Sequence, residues 1–423
     1  MAEDLPIVVE YRKELSFLLC QAAEIEHMAM CQYLYAAFSL RTEPGPGLTV
    51  EQLEHVETWR AAILRIAAEE MLHWAMINNL LTAIGSAPFV SRPNLPHRAQ
   101  GYPPEVQFAL LPFGENALRH FVYFERPQGV TVEEVAEFTP TGSRPAPMSP
   151  AEIQPRGQHF DSQGQLYRSL GDGLVHLADK LGERGLFIGP PWAQADQQSF
   201  GWPELEPVTD LKSALTALER IVVQGEGATG DWTTAHYGRF VAILEQFLDM
   251  RAADPSFEPA HPVTAGIVRT VQGDEASGPF ITDPVTAAVS DLFNAINDTL
   301  LQILDRYFAF GHETGEQSNV LANASVSLMF GAIKPLGLLL ATLPVGEDLP
   351  GATAGANFQL AYKSNFLLPH RRVAWIRFAE RMDEMAAFAD SIAGDESVRK
   401  VLDRVAKSLR TILSRLSAHI EEV

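Results

Sequence analysis

The chain has 423 residues, 46% hydrophobic and 20% charged, with a formal net charge of −21. That length can bury a large core in two or three domains of about 150 residues. The acidic balance excludes nucleic acid and anionic lipid surfaces as partners, because binding phosphate takes clustered Lys and Arg.

The opening Met1-Ala2-Glu3-Asp4-Leu5-Pro6 has neither the basic segment nor the apolar core of a secretory leader, so a cytoplasmic location is expected. Residues 8–41 carry a helical pattern ended by Glu43-Pro44-Gly45-Pro46-Gly47, and Thr49-Val50-Glu51-Gln52 opens a second helix reaching Ile84-Gly85. The two predict an antiparallel hairpin. Cys20 and Cys31 lie on the first helix about 16 Å apart along its axis, against roughly 4.4 to 6.8 Å between the α-carbons of a disulfide, so both are expected as reduced thiols. Residues 86–158 are proline-rich and irregular apart from a short helical piece at 115–124, and are expected to wrap the bundle and cover one end of its site.

Helical patterns resume at 164–181, 208–224 and 233–251, which closes a first domain at 1–255 with the irregular insert 86–158. After a loop bearing Pro255, Pro259, Pro262 and Gly273, four more segments at 284–311, 317–342, 370–393 and 396–420 build a second helical domain, 275–423. It reads as a packing or dimerising unit without a buried charge constellation, so a homodimer is compatible with it. His370-Arg371-Arg372 reads as a solvated cluster at a helix start. Residues 328–345, the most apolar late stretch, are interrupted by Lys334-Pro335 and too short on either side to span a bilayer.

Against this all-α background one stretch stands out. Ile63, Ile66, Glu70, His73, Ile77, Leu80 and Ile84 follow one another at steps of 3 and 4, the inward stripe of an amphipathic helix. Glu70 and His73 therefore point into a core, where an unpaired carboxylate costs several kcal/mol. Glu-x-x-His on one helix is a metal-holding arrangement of helical bundles. The first helix is apolar nearly all round, so its pattern leaves Glu24 and Glu26 both open as the inward carboxylate. Tyr33 shares a face with Glu26. His236 lies with Thr233, Phe240, Leu244 and Phe247 on an apolar stripe, as a ligand or as a core histidine. Asp172 and His176 share a polar face and are set aside.

A string of motifs then brings in a family. Glu26-His27, Gln32-Tyr33-Leu34-Tyr35-Ala36-Ala37-Phe38-Ser39-Leu40, Ala68-Glu69-Glu70-Met71-Leu72-His73, Asn79-Leu80-Leu81-Thr82-Ala83-Ile84-Gly85, Leu111-Pro112-Phe113, Phe124-Glu125-Arg126-Pro127, Gln224-Gly225-Glu226-Gly227, Ala235-His236-Tyr237-x-Arg239-Phe240 and Leu368-Pro369-His370-Arg371-Arg372-x-Ala374-Trp375 occur in this order. Together they resemble the ferritin-like proteins of the iminophenyl-pyruvate dimer synthase group, which includes the coupling enzymes of violacein and indolocarbazole assembly. The resemblance implies a ferritin-like four-helix bundle and a place in bacterial secondary metabolism. It puts the six ligand positions at Glu26, Glu70, His73, Gln165, Thr233 and His236.

Two of those positions depart from the pattern, since Gln165 and Thr233 stand where glutamates are expected. Glu26 and Glu70 supply −2 against the +4 of two divalent ions, so the expectation is one iron or manganese ion, held by Glu26, Glu70 and His73 with His236 as a fourth ligand or an acid/base. The implied function is a non-haem iron oxidase, oxygenase or oxidative coupling enzyme acting on a small biosynthetic intermediate, with Glu70, His73, His236 and Tyr33 as catalytic groups. Haem association, known in some of the large relatives, stays open. A second reading has no metal: a cyclase or isomerase using buried Glu and His as acid and base, with Gln165 and Thr233 binding substrate. A third is a non-catalytic scaffold or metabolite-binding protein.

Overall fold

The first helix is apolar on more than one face, and it sits at the centre of the molecule for that reason. In this computed structural model, which describes residues 7–99, 101–102, 107–130, 148–149, 151–227, 231–269, 279–309, 312–361 and 370–422, α1 (Arg12–Ser39) buries 20 of its 28 residues, so it must be surrounded on most sides. Its partner is α2 (Val50–Ala83). Arg12 at the start of α1 donates to the carbonyl of Ile84 beyond the end of α2, at 2.7 Å, which makes the pair antiparallel as expected. Thr49 caps α2 through a reciprocal pair: its hydroxyl accepts from the Gln52 N–H (3.2 Å), and the Gln52 side-chain oxygen accepts from the Thr49 N–H (2.8 Å).

Each flank of this hairpin is made of two shorter helices instead of one long one. In chain order these are α3 (Glu115–Phe124) and α4 (Gln163–Leu181), then, after the single turns α5 (Glu183–Leu186) and α6 (Gln197–Phe200), α7 (Leu211–Gly225) and α8 (His236–Ala253). One apolar cluster joins Leu15 and Leu19 of α1 and Leu80 of α2 to Leu170 and Leu174 of α4 and Leu218 and Ile221 of α7. A second joins Tyr33 and Ala37 of α1 and Ile63 of α2 to Leu118 and Phe121 of α3 and Phe240 and Phe247 of α8. In that second cluster Trp59 stacks on Phe113 at 5.6 Å and donates its indole N–H to Gln246. The ends of α3 and α7 and the starts of α4 and α8 all fall between the two clusters, at mid-hairpin.

The second half comprises α9 (Pro284–Phe308), α10 (Gly315–Leu328), α11 (Lys334–Leu340), α12 (Arg371–Ser391) and α13 (Glu396–Ser417). Pro335 lies inside the expected helical segment 317–342 without ending it. A π turn, Met329–Ile333, separates α10 from α11: the Lys334 N–H reaches back five residues to the Met329 carbonyl, and Pro335 follows in the first turn of α11. By length and composition the run Gly315–Leu340 could cross a membrane, and half of its most apolar window is buried inside the fold, as in a core helix.

The second half does contain a buried charge constellation, contrary to expectation. Arg306 grips Glu313 with two hydrogen bonds of 2.7 and 3.0 Å, and the Trp375 indole N–H also donates to Glu313. Arg371, expected in a solvated cluster, donates to the His312 carbonyl. The insert, whose residues 131–147 lie outside the described residues, ties the two halves together. Buried Arg92 donates to the Phe358 carbonyl at 2.5 Å, and Asn94 exchanges two hydrogen bonds with the Leu360 backbone. Among the described residues there is no β-strand, only isolated bridges.

Candidate metal centre

Midway along the hairpin the apolar stripes of α1 and α2 each carry an acid. Glu26 is the inward carboxylate of α1 and is fully buried, whereas Glu24 lies nearer the surface, 3.9 Å from His97. Glu70 and His73 face Glu26 from α2, one helical turn apart. His73 Nδ1 lies 3.2 Å from Glu70 Oε2 and 3.5 Å from Glu26 Oε2, while its Nε2 is 3.0 Å from the Gln224 side-chain oxygen at the end of α7.

The other side of the centre is built from helix ends. Glu125 is the first residue past α3, and His236 is the first residue of α8. His236 Nδ1 sits 2.8 Å from Glu70 Oε1 and 3.6 Å from Glu125 Oε2, and its Nε2 is 3.0 Å from Glu69 Oε2. Arg239, one turn along α8, also binds Glu69. The two imidazoles stack at 5.4 Å between centroids. The result is two buried triads, Glu26–Glu70–His73 and Glu70–Glu125–His236, each with its donor atoms within 4.8 Å of one another. Glu70 belongs to both.

Two tyrosines close the centre. Tyr33 donates to Glu125 Oε1 and is packed by Phe121 and Phe240, and Tyr167 of α4 donates to Glu26 Oε1. Glu26 Oε2, Glu70 Oε1 and His236 Nδ1 are buried in ion-pair contact with one another and with His73, yet none of the three makes a hydrogen bond of good geometry. Buried polar atoms are rarely left so, and all three belong to the triads. Carboxylate and imidazole donors facing one another across a gap suit a hard to borderline cation such as Fe(II) or Mn(II).

The electrostatics fit the same picture. Burial, reinforced by the Glu70 charge, raises the Glu26 carboxyl to about 8, and burial with the same neighbour raises Glu125. Burial would also raise Glu70, but the His236 charge and hydrogen bonds from its neighbours hold it well below the usual carboxylate range. Desolvation would lower both imidazoles. Hydrogen bonds and charge from Glu26 and Glu70 overcome it at His73, which is held up at about 10, and the Glu70 charge with bonds to Glu125 and Glu69 holds His236 well above its ordinary value. The centre is a pocket of negative potential that draws positive charge, whether protons or metal.

Gln165 and Thr233 are not brought into this centre. Gln165 sits in the first turn of α4, where its side-chain oxygen accepts from the Asp161 N–H at 2.7 Å, and it belongs to neither triad. Thr233 is exposed, its hydroxyl donating to Asp231 at 2.7 Å. The reason is local: α8 begins at His236, so Thr233 precedes the helix and the three-residue rule that would place it beside His236 does not apply. The expected loss of two carboxylates is accordingly corrected, because Glu125 supplies one from a different element. Three carboxylates line the centre, not two.

Sequence reading missed Glu125, Glu69, Gln224 and Tyr167 as parts of the site. The signal for the first three was present in the motif runs Phe124-Glu125-Arg126-Pro127, Ala68-Glu69-Glu70-Met71-Leu72-His73 and Gln224-Gly225-Glu226-Gly227. Two glycines permit the close approach of the helix ends. A Cβ on Gly164 would overlap the Glu226 carboxylate, to which the Gly164 N–H donates at 2.8 Å, and one on Gly238 would lie 1.9 Å from the Trp232 carbonyl oxygen. Glu226 also pairs with Arg168 at 3.2 Å.

A helical bundle with a buried carboxylate and histidine centre is the class of protein that this fold defines. The sequence matches the Ferritin-like family over residues 19–245, and the chain belongs to that family. It is 30% identical, over 95% of its length, to dichlorochromopyrrolate synthase of Lentzea aerocolonigenes. It is also 29% identical, over 83% of its length, to 2-imino-3-(indol-3-yl)propanoate dimerase of Chromobacterium violaceum. These relatives support the group to which the motif string pointed. The chain spans 41% of the first relative and 34% of the second. A crystal structure of a ferritin-like protein from Caulobacter vibrioides aligns with a TM-score of 0.45 and 18% identity, covering 75% of this chain and 96% of that one.

Proposed function

We propose that the chain is an oxidative enzyme of natural-product biosynthesis, with two iron or manganese ions held by Glu26, Glu70, His73, Glu125 and His236 and a small, reactive aromatic intermediate as its substrate. The observation that carries this reading is Glu70, whose two oxygens face different histidines in two buried triads. When bound, such ions would supply one-electron chemistry and reaction with dioxygen.

The protein's own residues do the remaining work. With metal bound, Nε2–H of His73 and of His236 would donate to the Gln224 oxygen and the Glu69 carboxylate, holding each imidazole neutral with Nδ1 turned toward the carboxylates. Burial, and then the neighbouring carboxylates, hold the Tyr33 and Tyr167 phenols well above their ordinary range, so both stay protonated and donate to Glu125 and Glu26. Each phenol keeps a proton beside a carboxylate that can receive it. Three carboxylates against two divalent ions leave a residue of +1, half the +2 that two carboxylates would leave.

The similarity to dichlorochromopyrrolate synthase and to a dimerase of an indolyl imino acid supports a coupling reaction for this chain. The test is metal analysis by mass spectrometry on as-purified and anaerobically reconstituted protein, followed by oxygen uptake with an indolyl imino acid generated in situ. The expected result is two iron or manganese ions per chain, one for each triad, and substrate-dependent uptake. Protein that binds no metal under anaerobic reconstitution would overturn the redox reading and favour acid–base catalysis by Glu26 and His73.

A further inference from the structure

Glu226 stands one residue past the end of α7, as Glu125 stands one past the end of α3. A buried carboxylate at a helix C-terminus faces the negative end of the helix dipole, so other contacts must hold it. The Gly164 N–H, in the first turn of α4, donates to Glu226 Oε1 at 2.8 Å, and Arg168 pairs with Oε2 at 3.2 Å. Arg168 is half exposed and also donates twice to the Gln128 side-chain oxygen, at 3.0 and 2.7 Å. One oxygen of Glu226 is thus fixed by backbone, and the other is covered by a side chain that reaches solvent.

Between Glu226 and the triads lies a narrow cavity of about 10 Å³, lined by Glu70, His73, Glu125, Tyr167, Gly225 and Glu226 among others. That is room for about one water molecule, so it suits a small ion and excludes an aromatic substrate. Gly225 helps to keep it open, since a Cβ there would lie 3.5 Å from Glu125 Oε2. A second cavity that includes Glu70 in its lining is walled by Trp74, Phe200, Trp202 and Phe308 and has almost no polar surface. A divalent cation crossing it would give up water and find few ligands, at high cost. The route past Glu226 offers carboxylates instead.

We propose that the gap between the end of α7 and the start of α4 is the passage by which a divalent cation reaches the triads, with Glu226 as the carboxylate that takes the ion from solvent and Arg168 as the cation that occupies it until then. The inference rests on the two-ion reading. The exchange is one of ion pairs: the incoming ion replaces Arg168 at Glu226 Oε2, while the Gly164 N–H keeps Oε1 in place. From there the ion moves inward through the cavity to Glu125 and Glu70, which share its lining.

The test is the rate at which metal-depleted protein takes up Mn(II), followed in rapidly frozen samples by loss of the free-ion paramagnetic resonance signal, with the final metal count read by mass spectrometry. Glu226→Gln keeps an acceptor for the Gly164 N–H and removes the charge, so it should slow uptake about tenfold, the lower end of what a local field adds to an association rate. Arg168→Met keeps the apolar stem and removes the competing cation, so it should speed uptake by about threefold. Both effects should shrink as salt is raised, and both variants should reach the final count of the unaltered protein. The opposite signs discriminate, because a role in packing alone would move both rates the same way. Equal rates in all three proteins at full metal count would overturn the passage and leave the two-ion reading standing. A Glu226→Gln protein that ends one ion short would overturn it by making Glu226 a ligand. Protein that takes up no Mn(II) at all would end the two-ion reading, and the passage with it.

Discussion

The two sides of the centre are built on different principles. On the α1 and α2 side, Glu26, Glu70 and His73 project from the middle of long continuous helices, where spacing of three or four residues puts side chains on one face. On the other side, Glu125 stands just past the end of α3 and His236 at the first position of α8, where no helical periodicity links either to a partner. Both sides converge on Glu70. What differs is how each is held: the first by helix registry, the second by the packing of helix ends and by the Glu69, Arg239 and Tyr33 contacts.

The sharpest way to break this comparison is to remove what both sides share. Glu70→Ala deletes a ligand from both triads and is expected to abolish binding of both ions, read as metal per chain by mass spectrometry after reconstitution. Next in size are the single-side variants. Glu26→Ala should cost only the ion beside His73, and Glu125→Ala only the ion beside His236, leaving one ion per chain in each case. Equal loss of both ions in the two variants would show that the sides are not independent.

How much of this was legible in the sequence follows the same division. The α1 and α2 hairpin, its Thr49 cap, the 115–124 helix, Glu70 and His73 could be read because periodicity and capping are local, whereas Glu26 was set apart from Glu24 only by the motif resemblance. His236 was legible as a residue on an apolar stripe, but its role depended on a mistaken helix start. The helical pattern over 233–251 put Thr233 one turn before His236 and the resemblance made it a lost glutamate, whereas the chain enters α8 at His236 from a turn held by Asp231. Glu125 escaped for a physical reason. Its partner groups lie 111 and 55 residues away at His236 and Glu70, and only the meeting of four helix ends brings them together. The buried Arg306–Glu313 pair was hidden in the same way, by lying across the break between α9 and α10.

The outer contacts of the two histidines are expected to matter less than the ligands. Gln224→Leu removes the acceptor from His73 Nε2 and Glu69→Leu the one from His236 Nε2; each should weaken metal affinity by roughly 10- to 100-fold on its own side, measured by competition with a chelator. Gln224→Glu, which restores an acceptor, should recover most of the loss at His73. A loss that Gln224→Glu fails to rescue would mean the side chain acts only as packing.

His120 sharpens the electrostatic part of the comparison, because it is as buried as the two centre histidines but faces the Gln32 carboxamide instead of carboxylates. Burial lowers its imidazole to about 3. It therefore stays neutral in the folded protein, while the unfolded chain takes up a proton near the ordinary value of about 6.5. The stability it allows is complete above that value, is lost progressively as pH falls below it, and stops falling near pH 3. Between pH 7 and 5 the loss should be on the order of 2 kcal/mol. His120→Asn should remove that increment from denaturant unfolding curves at the two pH values, whatever its effect at pH 7.

The smallest expected effect separates the geometry from the motif pattern. Thr233→Ala and Gln165→Ala change the two positions where glutamates were expected, and both should leave the metal count unchanged, because Thr233 bonds Asp231 and the Gln165 oxygen bonds the Asp161 N–H. Any cost should be confined to local order, within about 1 kcal/mol for the loss of one exposed or partly buried hydrogen bond. The converse substitution is the stronger discriminator. Thr233→Glu should fail to strengthen metal binding, since an exposed residue three positions before a helix start has no helical path into the centre. A gain in affinity from that glutamate would show that α8 begins a turn earlier when metal is bound, and would return Thr233 to the site.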